Sequence, residues 1–333
     1  MIFCVLGAGS WGTSLAEILA ENGFDVTLYA RKKEVSDEIN NEHSNNSYFP
    51  FALELNKNLK STSDMDVALK NADVVLISVP SAQYRNVLNQ MAKLLKKKVI
   101  IVSTAKGFDP ETNERLSEVI REIIPSSKID SVMSLIGPSH AEEVIKKLFT
   151  CVSVIGIDED KLKIIQRAFS NDYFRVYTNT DEIGAEYAAA LKNVMAIASG
   201  IMTGLGYGDN TRAALITRGL AEMTRFGMAM GGKIETYLGL TGLGDLMVTC
   251  TSNFSRNFQA GLAIGKANSA KEFLLNNKKT VEGLKTAGVI HFKAEEQGIE
   301  MPITEAVYPV LFLGESPSDV AKTLINRALK PEF

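Results

Sequence analysis

Between Tyr187 and Gly206 the chain reads YAAALKNVMAIASGIMTGLG, and Lys192 is the one charged residue in that run. A membrane span, a buried helix tolerating one snorkelling lysine, and a helix presenting an ammonium to a substrate are the competing readings. At helical spacing the neighbours of Lys192 are Ala188, Ala189, Met195 and Ala196. Small apolar neighbours pack closely and exclude water, and desolvation moves a lysine pKa down toward the range useful for proton transfer. A lysine at a helix edge would instead reach solvent along its methylene stem, so the residues alone leave these two readings level. The length approaches the ~20 residues of a span. However, Lys192, Asn193 and three glycines among many alanines keep the hydropathy low, and the membrane reading is set aside. Gly200-xxx-Gly204 is a weak motif in such a context.

Other groups could serve the same chemistry. Thr241-Gly242-Leu243-Gly244-Asp245 is a glycine-rich turn ending in an acid, which either caps a helix or binds a substrate hydroxyl. Ser255-Arg256-Asn257 opens a helical run over Phe258–Lys266, and a hydroxyl, a cation and an amide at a helix start can cradle a phosphate. Ser103-Thr104-Ala105-Lys106-Gly107 ends an apolar run. Lys106 is thus either a surface lysine or a group at the strand end where ligands gather. Gly137-Pro138-Ser139 follows another such run, and Ser139 with Glu142 has the spacing of a capping box. Val281-Glu282-Gly283 says nothing by itself.

The first apolar run leads directly into Gly7-Ala8-Gly9-Ser10-Trp11-Gly12 and then a helical pattern. In that context GxGxxG is a dinucleotide fingerprint: the glycines admit a pyrophosphate to the backbone, and the helix N-terminus favours its charge. An NAD site would carry Asp or Glu at the end of the second run. This chain has Ala30-Arg31-Lys32-Lys33 instead. Arg31 and Lys32 either pair with the 2′-phosphate of NADP or form a solvated basic turn. NADP is the preferred expectation, with NAD tolerated.

Positioning these groups needs a scaffold, and the pattern supplies one. Apolar β-rich runs occupy Ile2–Leu6, Val26–Tyr29, Val74–Val79, Val99–Ser103, Val132–Ile136, Cys151–Ile155 and Phe174–Tyr177, with helical patterns at Thr13–Asn22, Glu114–Ile124 and Lys161–Phe169. Such alternation predicts an α/β domain with a parallel, doubly wound sheet. After Thr180 the periodicity is helical. The expected domains are a Rossmann-type dinucleotide-binding domain over 1–180 and a mostly α-helical substrate-binding and catalytic domain over 181–333. A cleft between two such domains is the default ligand site.

Composition excludes several classes. The 333 residues include 45% hydrophobic and 23% charged, and carry a net charge of −3, which gives no drive toward nucleic acid or anionic lipid. Cys4, Cys151 and Cys250 are scattered, as are His43, His140 and His291, so no disulfide framework, zinc site or metal enzyme is indicated. The expectation is a cytoplasmic chain with reduced cysteines.

These segments together resemble the bacterial NAD(P)-dependent glycerol-3-phosphate dehydrogenases across almost the whole chain. GAGSWGTSLA, STAKGFDPET, GPSHAEEV, GAEYAAALKNVMAIASGI, GLGYGDNTRAALITRGLAEMTRFG, GLTGLGDLMVTCTSNFSRNFQAG and VEGLKTAG carry the resemblance, in the family's order. It implies a C-terminal domain like that of 6-phosphogluconate dehydrogenase and reduction of dihydroxyacetone phosphate to sn-glycerol 3-phosphate for phospholipid synthesis. It also implies a homodimer. Lys192 matches the catalytic lysine, the general acid for the carbonyl oxygen. Lys106, Gly137, Ser139, Asp245, Ser255, Arg256 and Asn257 match substrate contacts. Ser10, Trp11, Arg31, Lys32, Lys106, Ala141, Arg256, Val281 and Glu282 match cofactor positions, with Tyr48 a weaker addition. The chain departs from the pattern at His140 (usually Phe), at Phe49-Pro50-Phe51 (usually Leu-Pro-Gly) and at Ala188 and Ala189 (bulkier or Gly). Two rival readings remain at this level. One is a related two-domain 3-hydroxyacid dehydrogenase, for which the Ser-Arg-Asn step would be superfluous. The other is a non-catalytic NADP sensor, which has no use for Lys192.

Overall fold

The computed structural model describes residues 1–51, 54–329 and 331–332. The chain divides into two compact units, Met1–Glu182 and Ile183–Phe333.

The first unit is built on an eight-stranded sheet: β1 (Ile2–Leu6), β2 (Asp25–Tyr29), β3 (Lys60–Thr62), β4 (Val74–Ile77), β5 (Val99–Ser103), β6 (Ile129–Ile136), β7 (Thr150–Gly156) and β8 (Phe174–Asn179). Their order is β3-β2-β1-β4-β5-β6-β7-β8. The helices of this unit are α1 (Ser10–Glu21), α2 (Lys33–Glu42), α3 (Met65–Leu69), α4 (Tyr84–Leu94), α5 (Leu116–Ile123), α6 (Ala141–Val144) and α7 (Glu159–Phe169). Both sheet faces are covered, which explains the near-continuous apolar strands. Along β1, Phe3 and Val5 enter the core shared with α1 and α7, while Cys4 and Leu6 enter the core shared with α3, α4 and α5. The order of strand addition reverses at β1, which pairs in parallel with β2 on one side and β4 on the other. In open α/β sheets, ligands bind outside the carboxyl ends of strands at such a switch point.

Two expectations need correction. The sheet is not wholly parallel: β6 and β7 pair antiparallel. Their link carries only the four-residue α6, and an apolar run carries no information about strand direction. The sequence reading also omitted β3, a three-residue polar edge strand, KST, with no hydrophobic signature. The predicted stop of α1 does occur. Gly23 takes φ +84° beyond the C-cap Asn22, and the N–H groups of Gly23 and Phe24 return to Ala20 and Leu19, a glycine-terminated helix end.

The second unit is helical: α8 (Glu182–Gly204, its first residue falling in the first unit), α9 (Asp209–Ala229), α10 (Ile234–Leu238), α11 (Asp245–Thr251), α12 (Arg256–Ala267), α13 (Lys271–Asn276), α14 (Glu282–Gln297), α15 (Pro302–Phe312) and α16 (Pro317–Ile325). The Gly200-xxx-Gly204 pair of α8 meets Gly261-xxx-Gly265 of α12. A Cβ at Gly200 would fall 2.9 Å from the Gly261 Cα, and one at Gly204 would fall 2.9 Å from the Gly265 Cα. The motif therefore brings two helix backbones into contact within a buried core. No helix of the described residues is long and apolar enough to cross a membrane. Among them no group of three or more His, Cys, Asp or Glu could hold a metal ion.

Candidate active site

In the first unit the glycine loop works through what it lacks. Gly7, directly after β1, takes φ +118°, and a Cβ there would lie on the Ser78 carbonyl. A Cβ at Gly12 would fall on the Gly7 carbonyl oxygen, so only glycine lets α1 start this close to the strand. Gly9 has open space on its Cβ side and heads α1 with no side-chain cap. An uncapped helix start beside a clear backbone surface fits the pyrophosphate of a dinucleotide. Ser10 and Ala141 are tied together, because the buried Ser14 hydroxyl lies 3.0 Å from the Ser10 carbonyl and 3.3 Å from the Ala141 carbonyl. Trp11 is partly buried against the core near Phe174.

At the end of β2, Arg31 and Lys32 are exposed, and Lys32 precedes α2 without capping it by its side chain. Two cations at this strand end fit the 2′-phosphate of NADP better than the 2′-hydroxyl of NAD. At the ends of β5 and β6 three expected contacts converge: Lys106 Nζ donates to the Gly137 carbonyl at 3.4 Å, and Ser139 Oγ donates to it at 3.1 Å. The predicted capping box is absent. The N-cap of α6 is His140, without a side-chain cap bond, and the Ser139 hydroxyl turns back to Gly137. Tyr48 is about half exposed. Beside it the Phe49-Pro50-Phe51 departure forms an edge-on aromatic pair, Phe49 to Phe51 at 5.9 Å, with Lys146 over the Phe51 ring.

In the second unit the chemistry is carried by side chains. Lys192 does not snorkel. Its side chain is 4% exposed, with Nζ 2.5 Å from Asp245 Oδ1 and 2.9 Å from Thr249 Oγ1. Apolar surroundings alone would strip the ammonium of its charge. A carboxylate in contact favours the charged form, so the alanine neighbours are only half of the environment foreseen from the sequence. Asp245 is not a side-chain cap either. The N-cap of α11 is Gly244, and Asp245 opens the helix with its carboxylate on the lysine. The glycine-rich turn before it, Leu240–Gly244, is a π-helical turn, an arrangement frequent at functional sites. Burial raises the thiol pKa of Cys250, next to Thr249, to about 12, so it stays neutral beside this pair.

Ser255 caps α12 by accepting from the Phe258 N–H at 3.2 Å. Arg256 begins the helix as an exposed cation, while Asn257 is buried. Val281 is the N-cap of α14 and Glu282 its first residue. Several residues that shape these sites escaped the sequence reading. Thr249 is indistinguishable from any helical threonine. Asn45, fully buried, donates to the Ala8 carbonyl at 3.1 Å and to Thr13 Oγ1 at 2.9 Å, bracing the glycine loop from a distant segment. No local motif marks either one.

Comparison with known proteins places this geometry in a family. A family model described as NAD-dependent glycerol-3-phosphate dehydrogenase N-terminus matches residues 3–162, and one described as the C-terminus of the same enzyme matches residues 181–322. A glycerol-3-phosphate dehydrogenase [NAD(P)+] of Exiguobacterium sp. is 46% identical over 329 residues, covering 99% of this chain and 96% of the relative. One of Lysinibacillus sphaericus is 45% identical over 330 residues, covering 99% and 97%. The crystal structure of glycerol-3-phosphate dehydrogenase from Coxiella burnetii superposes with a TM-score of 0.90 at 38% identity, covering 98% of each chain. The chain is a member of the NAD-dependent glycerol-3-phosphate dehydrogenase family.

Proposed function

We propose that the chain reduces dihydroxyacetone phosphate to sn-glycerol 3-phosphate, reversibly, with NADPH preferred over NADH. The observation that carries this reading is the buried Lys192, held on Asp245 and Thr249. A charged lysine shielded from water and held by an acid and a hydroxyl is costly to keep, and a proton-donating role accounts for that cost. A bound nicotinamide dinucleotide supplies the hydride. Lys192 Nζ holds the proton destined for the carbonyl oxygen, and its charge stabilises the alkoxide developing there. Asp245 keeps Lys192 charged until transfer, and Thr249 fixes its direction. Arg256 and the start of α12 hold the phosphate, which orients the carbonyl.

Lys106, Gly137 and Ser139 complete the substrate contacts. Gly7, Gly9, Ser10, Trp11, Gly12, Ala141, Val281 and Glu282 contact the cofactor, and Arg31 and Lys32 pair with its 2′-phosphate. The glycerol phosphate formed enters phospholipid synthesis in the cytoplasm, and the working enzyme is a homodimer. A 3-hydroxyacid dehydrogenase acts on a substrate without a phosphate, and would not need the Ser255-Arg256-Asn257 step at a helix start. The test is oxidation of NADPH, and of NADH in parallel, with dihydroxyacetone phosphate. Turnover faster with NADPH is expected, and no turnover with either cofactor refutes the proposal.

A further inference from the structure

Three site residues of the second unit are each followed in sequence by a member of one hydrogen-bonded chain. Asn193 follows Lys192, Asn257 follows Arg256, and Gly283 follows Glu282. The Gly283 N–H donates to Asn257 Oδ1 at 2.9 Å, Asn257 Nδ2 donates to Asn193 Oδ1 at 2.9 Å, and Asn193 Nδ2 donates to the Ala189 carbonyl at 3.2 Å. The chain joins α14, α12 and α8, and both asparagines are buried.

Its polarity is determined at both ends. A backbone N–H can only donate, so Asn257 must offer it an oxygen and turn its NH₂ toward Asn193. Asn193 must then offer an oxygen in turn, which leaves its own NH₂ for the Ala189 carbonyl. At each step the side-chain amide supplies an oxygen that accepts and, on the adjacent atom, an NH₂ that donates. Backbone contacts tighten the same junction. A Cβ at Gly283 would fall 2.6 Å from the Asn193 carbonyl oxygen, and the paired glycines of α8 and α12 lie just beyond. The Asn257 amide is thereby bonded on both sides to neighbouring helices.

We infer that Asn193 is a positioning residue: through Asn257 it sets the spacing between the lysine that protonates the substrate and the arginine that grips its phosphate, and through Gly283 it fixes the start of α14. This rests on the function proposed above. Binding energy from a remote phosphate accelerates the reaction only if its grip and the proton donor are held in register. The inference therefore concerns how much the phosphate contributes, not whether the lysine works.

The experiment compares dihydroxyacetone phosphate with dihydroxyacetone, which has no phosphate to be positioned, in the unaltered protein, in Asn193→Ala and in the isosteric Asn193→Asp. For Asn193→Ala, kcat/KM toward the phosphorylated substrate should fall about 10²-fold, the scale of a misplacement near 1 Å. The value for dihydroxyacetone should move by less than about threefold, so the ratio of the two collapses. Asn193→Asp keeps the acceptor for Asn257 but turns an oxygen on the Ala189 carbonyl, and should retain an intermediate ratio. Fraction folded, from the melting profile, normalises each rate. A uniform loss on both substrates would mean a merely structural or directly catalytic role and overturns the inference. An unchanged ratio in a folded variant of an active enzyme also overturns it. An unaltered protein that turns over neither substrate refutes the proposed function instead.

Discussion

The glycine loop after β1 and the lysine of α8 solve opposite problems. In the proposed function the loop meets its dinucleotide with backbone, and the lack of side chains at Gly7 and Gly12 lets a strand and a helix start approach one another. The α8 site works with side chains, brought from α8 and α11 into a place with little water. The loop is local, complete within Gly7–Gly12. The lysine site joins residues 57 positions apart, Lys192 and Thr249. A backbone site can thus be damaged by adding atoms, and a buried charged site by taking one partner away.

The sharpest way to break this contrast is to exchange the damage. Lys192→Met should lower kcat by about 10³-fold or more, since it removes both the general acid and the charge facing the alkoxide. NADPH affinity, read by fluorescence titration, should stay within about twofold. Near-normal kcat would return Lys192 to a structural role. Gly12→Ala is the counterpart. Its Cβ would fall on the Gly7 carbonyl oxygen, and overpacking of this kind costs about 1–3 kcal/mol, or about 10 to 10² in NADPH affinity. An unchanged affinity would mean that the loop tolerates a side chain and that its closeness is not functional.

Asp245→Asn probes the buried pair itself. Removing the Asp245 charge from beside buried Lys192 should destabilise the second unit by about 3–5 kcal/mol, read from urea unfolding, and depress kcat along with it. A loss below about 1 kcal/mol would show that the lysine reaches water. Arg31→Ala is milder, because the side chain is exposed. KM for NADPH should rise about tenfold while KM for NADH hardly moves, and equal changes would remove the 2′-phosphate role.

A pH dependence is expected in both units. Burial raises Glu17 on α1 and Glu222 on α9 from 4.5 to about 7, against hydrogen bonds from Asn56 and from Ile303 and Thr304 that lower them. Between those pH values the folded chain holds protons that the unfolded chain has released. The stability these groups contribute is therefore present below pH 4.5 and lost as pH rises through about 7. Melting temperature should fall as pH rises from about 5 to 8. Glu222→Gln should flatten the slope for the second unit, and an identical slope would assign the effect elsewhere.

The contrast also explains what could be read in advance. Seven strands and the start of α1 were visible because apolar runs and glycines act within a few residues. The polar edge strand Lys60–Thr62 and the antiparallel pairing of β6 with β7 were not, since neither exposure at a sheet edge nor strand direction leaves a mark in local composition. Ser139 and Asp245 both matched the pattern of a cap, and in both the side chain has another partner. A cap motif states which bonds are available, and tertiary neighbours decide which are made.

By itself, the sequence determined the glycine-loop entry to an α/β sheet, the helical second half, the absence of an acid after β2, and the one cation in the apolar run of α8. Each is set by residue type at short spacing. Only the tertiary structure decided that Lys192 is buried on Asp245 and Thr249 rather than reaching solvent, that Gly200 and Gly204 meet Gly261 and Gly265, and that Asn193, Asn257 and Gly283 form one chain of bonds. Desolvation and hydrogen-bond pairing act over a few ångströms in space, and the residues that meet there, as far apart as Asn193 and Asn257 at 64 positions, become neighbours only when the helices pack.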